Sequence, residues 1–158
     1  MIYIFDESLG KRLPKILSIL DQKTQALCDG FAEPGEADTD WMARLDPAAH
    51  VLVTSDGKIR TCAYERDVWK ERGVTVICLD ATLHGKMQIL ERTWRVLKAW
   101  LKVRETVEKS PGGYWYGLRA SGELERREKV STIGPGAHSC PRRSRTGRRR
   151  EAPPPGEQ

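Results

Sequence analysis

The chain has 158 residues, 39% of them hydrophobic and 31% charged, a globular balance and enough length for one domain of ordinary size. No run of about 18 apolar residues is present to cross a bilayer, so the composition excludes a membrane-spanning reading. The formal net charge is +5, yet residues 1–110 hold 17 of the 27 Lys/Arg and 17 of the 22 Asp/Glu, which places the entire surplus in the C-terminal third.

In chain order, Ile2-Tyr3-Ile4-Phe5 is a short apolar run that stops at Asp6-Glu7, the pattern of a buried strand emerging at a sheet edge. The run is too short, and lacks a basic leader, to read as a secretory signal, so a cytosolic protein without membrane contact is expected. Leu13, Ile16, Leu17 and Leu20 recur at helical spacing behind Pro14, predicting a helix over 11–21. Ala26-Leu27-Cys28 suggests a short strand before a Gly/Pro/Glu loop. A short helix carrying Trp41, Met42 and Leu45, capped by Asp38 or Asp40, should end near Asp46-Pro47, because a residue before proline avoids helical geometry. Val51–Val53 is the next strand. A helix over 61–71 stopping at Gly73 and a strand over 74–79 follow. Residues 86–108 form the longest periodic segment, with Met87, Leu90, Trp94, Leu97, Leu101 and Val107 expected as one core-facing stripe. Residues 114–119 and 123–128 read as a β-hairpin, which must dock on something to be stable. Arg142 to Arg150 and Pro153-Pro154-Pro155 have a composition that cannot repay its ordering entropy, so 132–158 is expected to be disordered.

Strands alternating with helices predict an α/β domain with a mainly parallel sheet. Sites in such sheets lie beyond the carboxyl ends of the strands. Asp6 and Asp56 follow strands there, and Asp40 opens the helix between them. Converging carboxylates repel unless a cation or a proton neutralises them. Oxygen donors of this kind suit Mg²⁺ or Mn²⁺, which can activate water and stabilise the leaving oxygen of a phosphodiester. The alternative is that Asp6 and Asp40 only cap helices and that Asp56-Gly57 only turns the chain. The four cysteines have no C-x-x-C pair. His50, His84 and His138 suggest no pairing with a nucleophile. The tryptophans read as packing residues.

The stretches Phe5-Asp6-Glu7-Ser8-Leu9-Gly10, Asp40-Trp41-Met42 and Val51-Leu52-Val53-Thr54-Ser55-Asp56-Gly57-Lys58-Ile59-Arg60, followed by Glu65 and an apolar strand, resemble the PIN-like domain of VapC-type toxins over about residues 1–105. The resemblance implies a compact PIN-like domain over 1–110, with a hairpin extension at 111–131 and the basic tail at 132–158. It further implies a metal-dependent endoribonuclease, with Asp6, Asp40 and Asp56 as ligands of Mg²⁺ or Mn²⁺ and Thr54 orienting the last carboxylate or the attacking water. PIN domains usually carry one more acid on a helix between the first two. This chain has no clear helix there, and Glu7 is the substitute, with Asp38 behind it. RNA is the implied substrate, an antitoxin the implied protein partner, and a homodimer one arrangement seen among such relatives.

Lys11, Arg12, Lys58 and Arg60 flank the acidic turns, where they either meet a nucleic-acid backbone or form solvated surface. The arginine-rich tail adds sequence-independent RNA affinity on the first reading. Two readings of the whole therefore stand: a metal-dependent endoribonuclease, and a PIN-like module that binds RNA or protein without cleaving. A third reading, a receiver-like or phosphatase domain with Asp6 as nucleophile, is disfavoured, because Ser8 stands where a second acid is needed and no lysine follows a later strand in the required pattern.

Overall fold

In a computed structural model of the chain, residues 1–21, 23–110 and 112–129 are described. The expected disordered tail lies outside them. Six strands form one sheet: β1 (Ile2–Phe5), β2 (Thr24–Ala26), β3 (His50–Thr54), β4 (Thr75–Leu79), β5 (Tyr114–Leu118) and β6 (Leu124–Lys129), in the order β2-β1-β3-β4-β5-β6. Every neighbouring pair is parallel except β5 and β6. The α/β fold with a mainly parallel sheet is thus as the alternation of elements predicted. The hairpin finds its dock by pairing β5 in parallel with β4.

The strands read as continuous apolar runs because both faces are covered. Tyr3, Phe5, Val51, Val53, Ile77, Leu79, Tyr116 and Leu118 point to one face. There they meet α1 (Arg12–Leu20) through Leu13 and Leu17, and α5 (Ile89–Lys109) through Val96, Trp100, Val103 and Val107. The alternate residues Ile4, Leu52, Val76, Cys78 and Trp115 meet α2 (Asp38–Met42), α3 (Lys58–Thr61) and α4 (Ala63–Arg72) through Trp41, Met42, Ile59 and Trp69. Burying these two layers is the main favourable contribution to folding. No helix among the described residues is long and apolar enough to cross a membrane.

Several boundaries differ from expectation. The second strand lies at Thr24–Ala26 rather than 26–28, because parallel pairing with β1 aligns Tyr3 with Thr24 and Phe5 with Ala26, and Leu27 turns into the opposite core. The single helix expected over 61–71 is two helices, broken at Cys62, whose extended backbone (ψ 116°) separates α3 from α4. Gly73 closes α4 in the left-handed conformation at φ 68°, which a side chain would disfavour.

The largest correction concerns α5. Its buried stripe is Thr93, Val96, Ala99, Trp100, Val103 and Val107. Leu90, Trp94 and Leu101, expected in the core, are 80%, 62% and 78% exposed. The helix carries two apolar rows with alternating three- and four-residue spacing, and periodicity alone cannot say which one the sheet takes. Trp94 and Trp100 sit about 120° apart around the axis, so they cannot both face inward. The packing role expected of the tryptophans holds for Trp41, Trp69, Trp100 and Trp115, each 5% exposed or less, and fails for Trp94.

Candidate functional site

The sheet order places β2 and β3 on opposite sides of β1. The crossover to β2 runs over one face through α1, and the return to β3 passes through α2 on the other. The carboxyl ends of β1 and β3 therefore flank a topological switch point, where α/β sheets leave a crevice for ligands. Asp6 follows β1 and Asp56 follows β3 at that crevice.

A hydroxyl network joins the two. Asp6 Oδ2 accepts from Ser8 Oγ at 2.7 Å and from Thr54 Oγ1 at 2.8 Å. Thr54 is fully buried, and its Oγ1 accepts the Asp56 backbone N–H at 2.9 Å. Ser8 Oγ in turn accepts from the backbone N–H and the hydroxyl of Ser55, at 3.1 and 3.0 Å. Threonine thus bridges the carboxylate of one turn to the backbone of the other, with both hydroxyl protons directed at a single oxygen of Asp6. Asp6 Oδ1 forms no hydrogen bond among the described residues. Asp56 Oδ1 accepts the Lys58 backbone N–H at 2.8 Å and so supports the first turn of α3, which realises part of the turn-and-cap alternative.

The α2 acids divide. Asp38 Oδ1 accepts the Trp41 indole N–H at 3.2 Å. Neither Asp38 nor Asp40 caps the helix, whose cap position is Ala37. Glu65 on α4 has its carboxyl raised above the usual range, by burial first and then by the negative fields of Asp38 and Asp56. Asp38, Asp56 and Glu65 therefore share one acidic region, while Asp40 lies in the field of Arg44, whose guanidinium pairs with Glu36. Glu7 is exposed on the short 3-10 turn Glu7–Leu9. With Asp6 and Lys11 it lines a cavity of about 280 Å³ floored by Phe5 and Ala26. Arg12 and Lys58 are exposed; Arg60 is partly buried on α3, and its charge reaches the Cys78 thiol. That thiol is pushed up to about 11 chiefly by burial, which leaves it a small core hydrophobe. Among the described residues, no three His, Cys, Asp or Glu side chains are grouped so as to hold a metal ion.

Against known proteins, a family model described as a PIN-like domain matches residues 1–81, a span from β1 just past the end of β4. The chain belongs to the PIN-like domain family. Its PIN-like domain is a nuclease-type fold. Among curated proteins and among solved structures there is no match.

Sequence reasoning placed Asp6, Thr54 and Asp56 at the rim of this PIN-like domain, and the structure ties those three together. It did not assign roles to Ser8, Ser55 or Glu65, whose contribution depends on contacts across 46 or 47 positions or on a helix packed from elsewhere. Asp80, at the end of β4, also escaped notice. Its carboxylate accepts the backbone N–H of Leu83 at 2.9 Å and of Ala120 at 3.3 Å, fastening the hairpin turn to the rim.

Proposed function

We propose that the chain is a metal-dependent endoribonuclease of the VapC kind, the toxin half of a toxin–antitoxin pair. The observation that supports it best is the Thr54 hydroxyl, which links the Asp6 carboxylate to the Asp56 backbone at the switch point of the PIN-like sheet. Asp6 and Asp56 supply hard oxygen donors that suit Mg²⁺ or Mn²⁺ in kind. Mg²⁺ typically takes one or two carboxylates and completes its shell with water and phosphate oxygens, so two acids suffice without a closed protein cage. Asp38 and Glu65 extend the negative rim, and Asp40 and Glu7 remain candidate ligands from the family resemblance. Bound there, the ion would supply Lewis-acid stabilisation of phosphodiester hydrolysis. Lys11, Arg12, Lys58 and Arg60 are the proposed backbone contacts for RNA. An antitoxin is the proposed restraint, entering this acidic rim with a basic element.

The absence of a three-acid group among the described residues favours a second reading, a PIN-like module that binds RNA or protein without cleaving it. One experiment separates the two. Cleavage of single-stranded RNA that requires added Mg²⁺ or Mn²⁺, stops with EDTA and disappears in folded Asp6→Asn and Asp56→Asn supports the enzyme. Activity unchanged in both variants refutes the assigned site, and no metal-stimulated cleavage by the wild type leaves the binding module.

A further inference from the structure

On the hairpin side of α5, a cavity of about 560 Å³ opens between the helix and the turn that joins β5 to β6. Its floor is made of small groups, Ala99, Ala120, Ser121 and Gly122; Gly122 is so close to the helix that a Cβ there would stand 3.5 Å from the Ala99 methyl. One wall is Trp94. It is the exposed tryptophan of the five, and an indole left in water on the outer face of a packed helix forgoes the burial that tryptophan ordinarily gains.

Trp94, Lys98 and Lys102 repeat every four residues, so they form one row with steps of about 6 Å along the helix. The other cations here are engaged: Arg95 holds Glu91 and the Ala120 carbonyl, Arg104 holds Asp21, and Lys109 holds Glu105. Lys98 and Lys102 are exposed and form no ion pair among the described residues. An aromatic wall, a floor of small groups and two unpaired ammonium groups at regular spacing match what a single-stranded polynucleotide requires, a stacking platform beside cations that follow the backbone.

The groove also lies toward the carboxyl edge of the sheet. β4 ends at Leu79 on the carboxyl edge, α5 begins near that edge, and the 119–122 turn follows the carboxyl end of β5. β5 stands three strands from β1, about 14 Å along the rim from Asp6 at the usual interstrand spacing. That span is a few nucleotides of RNA.

We infer that this groove is a binding subsite for single-stranded RNA, in which one base stacks on Trp94 and the flanking phosphates lie on Lys98 and Lys102. The inference rests on the reading of the chain as an RNA-cleaving enzyme, and extends it to a surface outside the carboxylate rim.

The test uses the full-length chain carrying Asp6→Asn, titrated with a labelled uridine oligonucleotide. The other four tryptophans are buried, so quenching of indole emission by RNA reports on Trp94. Quenching is expected, together with affinity weakened roughly five- to hundred-fold in Trp94→Ala and largely retained in Trp94→Phe, which keeps a ring to stack on. Lys98→Ala with Lys102→Ala should lower the slope of log affinity against log salt by about 1.4, two phosphates at the single-strand value. No quenching, or unchanged affinity in Trp94→Ala, overturns the subsite. So does stronger quenching by DNA of the same sequence. A concentration-dependent dimer that dissociates in Trp94→Ala and Leu101→Ala without loss of RNA affinity assigns the face to a second copy instead and also overturns it. Failure of the catalytic reading is seen separately, as no metal-stimulated RNA cleavage by the wild-type chain while its Trp94 still responds to RNA.

Discussion

Replacing Thr54 by valine isolates the contact that holds the rim together. The side chains have nearly the same shape, so the substitution in this fully buried position opens no cavity and removes only the hydroxyl. Three contacts disappear with it, the 2.8 Å donation to the Asp6 carboxylate, the 2.9 Å acceptance from the Asp56 N–H and a long 3.4 Å contact with the Ser8 hydroxyl. A hydrogen bond to a charged group contributes about 1.5–3 kcal/mol, and a buried donor left without a partner costs about 1–3 kcal/mol. Asp6 keeps its bond from Ser8, so the loss should fall in the lower half of the combined range, about 2.5–4 kcal/mol. For a chain of this size that is a fall in midpoint of roughly 5–15 °C. Thr54→Ser retains the hydroxyl and loses one methyl, at about 1 kcal/mol. Urea denaturation of the wild type and both variants at pH 7 gives the comparison. A coupling of about 1–2 kcal/mol between Thr54→Val and Asp6→Asn in a double-mutant cycle would place the effect in this contact. If Thr54→Val is no less stable than Thr54→Ser, the hydroxyl is not a structural link and the account of the rim fails.

Tyr116 is buried with its hydroxyl unpartnered among the described residues, so Tyr116→Phe should leave stability unchanged or raise it by up to about 1 kcal/mol; a clear loss in denaturation would reveal a partner. Burial acts to raise the Asp21 carboxyl, but bonds from the Lys23 amide and the Trp100 indole and the charge of Arg104 outweigh it and hold the group below its ordinary value. Its contribution is therefore present above the unfolded carboxylate value and lost as pH falls through the lower folded one. Asp21→Asn should destabilise at pH 7 by about 1–3 kcal/mol, with the gap to wild type narrowing below about pH 4, which midpoints measured against pH will check. Glu65 has the opposite sign, since its raised value means that the ionised form is penalised once pH exceeds the folded value. Glu65→Gln should raise the midpoint by about 1–2 °C at pH 7 and by nothing below about pH 4, and equal effects at both would exclude the acidic field of Asp38 and Asp56 as the cause.

The architecture was legible because burial on both faces leaves a signature that needs no partner to read. Val51–Val53 and Val76–Leu79 had to be apolar along their whole length, and the first acid after such a run marks where the strand leaves the core. That local rule found β1, β3, β4 and the positions of Asp6 and Asp56. It also supported the family resemblance, since the motif stretches Phe5–Gly10 and Val51–Arg60 are themselves local.

What the chain order left undecided was every choice between equivalent local patterns. Two apolar rows run along α5, and the sheet took the one bearing Ala99 and three valines, leaving Leu90, Trp94 and Leu101 outside. Asp38 and Asp40 are equally plausible on paper, and the packing of α2 against α4 brought Asp38 and Glu65 into one field while Asp40 fell beside Arg44. Ser8 donates to Asp6 from within the same turn, but Thr54, 46 positions from Ser8, reaches both only because β1 and β3 are neighbours in the sheet. Periodicity reports which residues avoid water, whereas the direction of a hydroxyl or the face of a helix depends on what the rest of the fold sets against it.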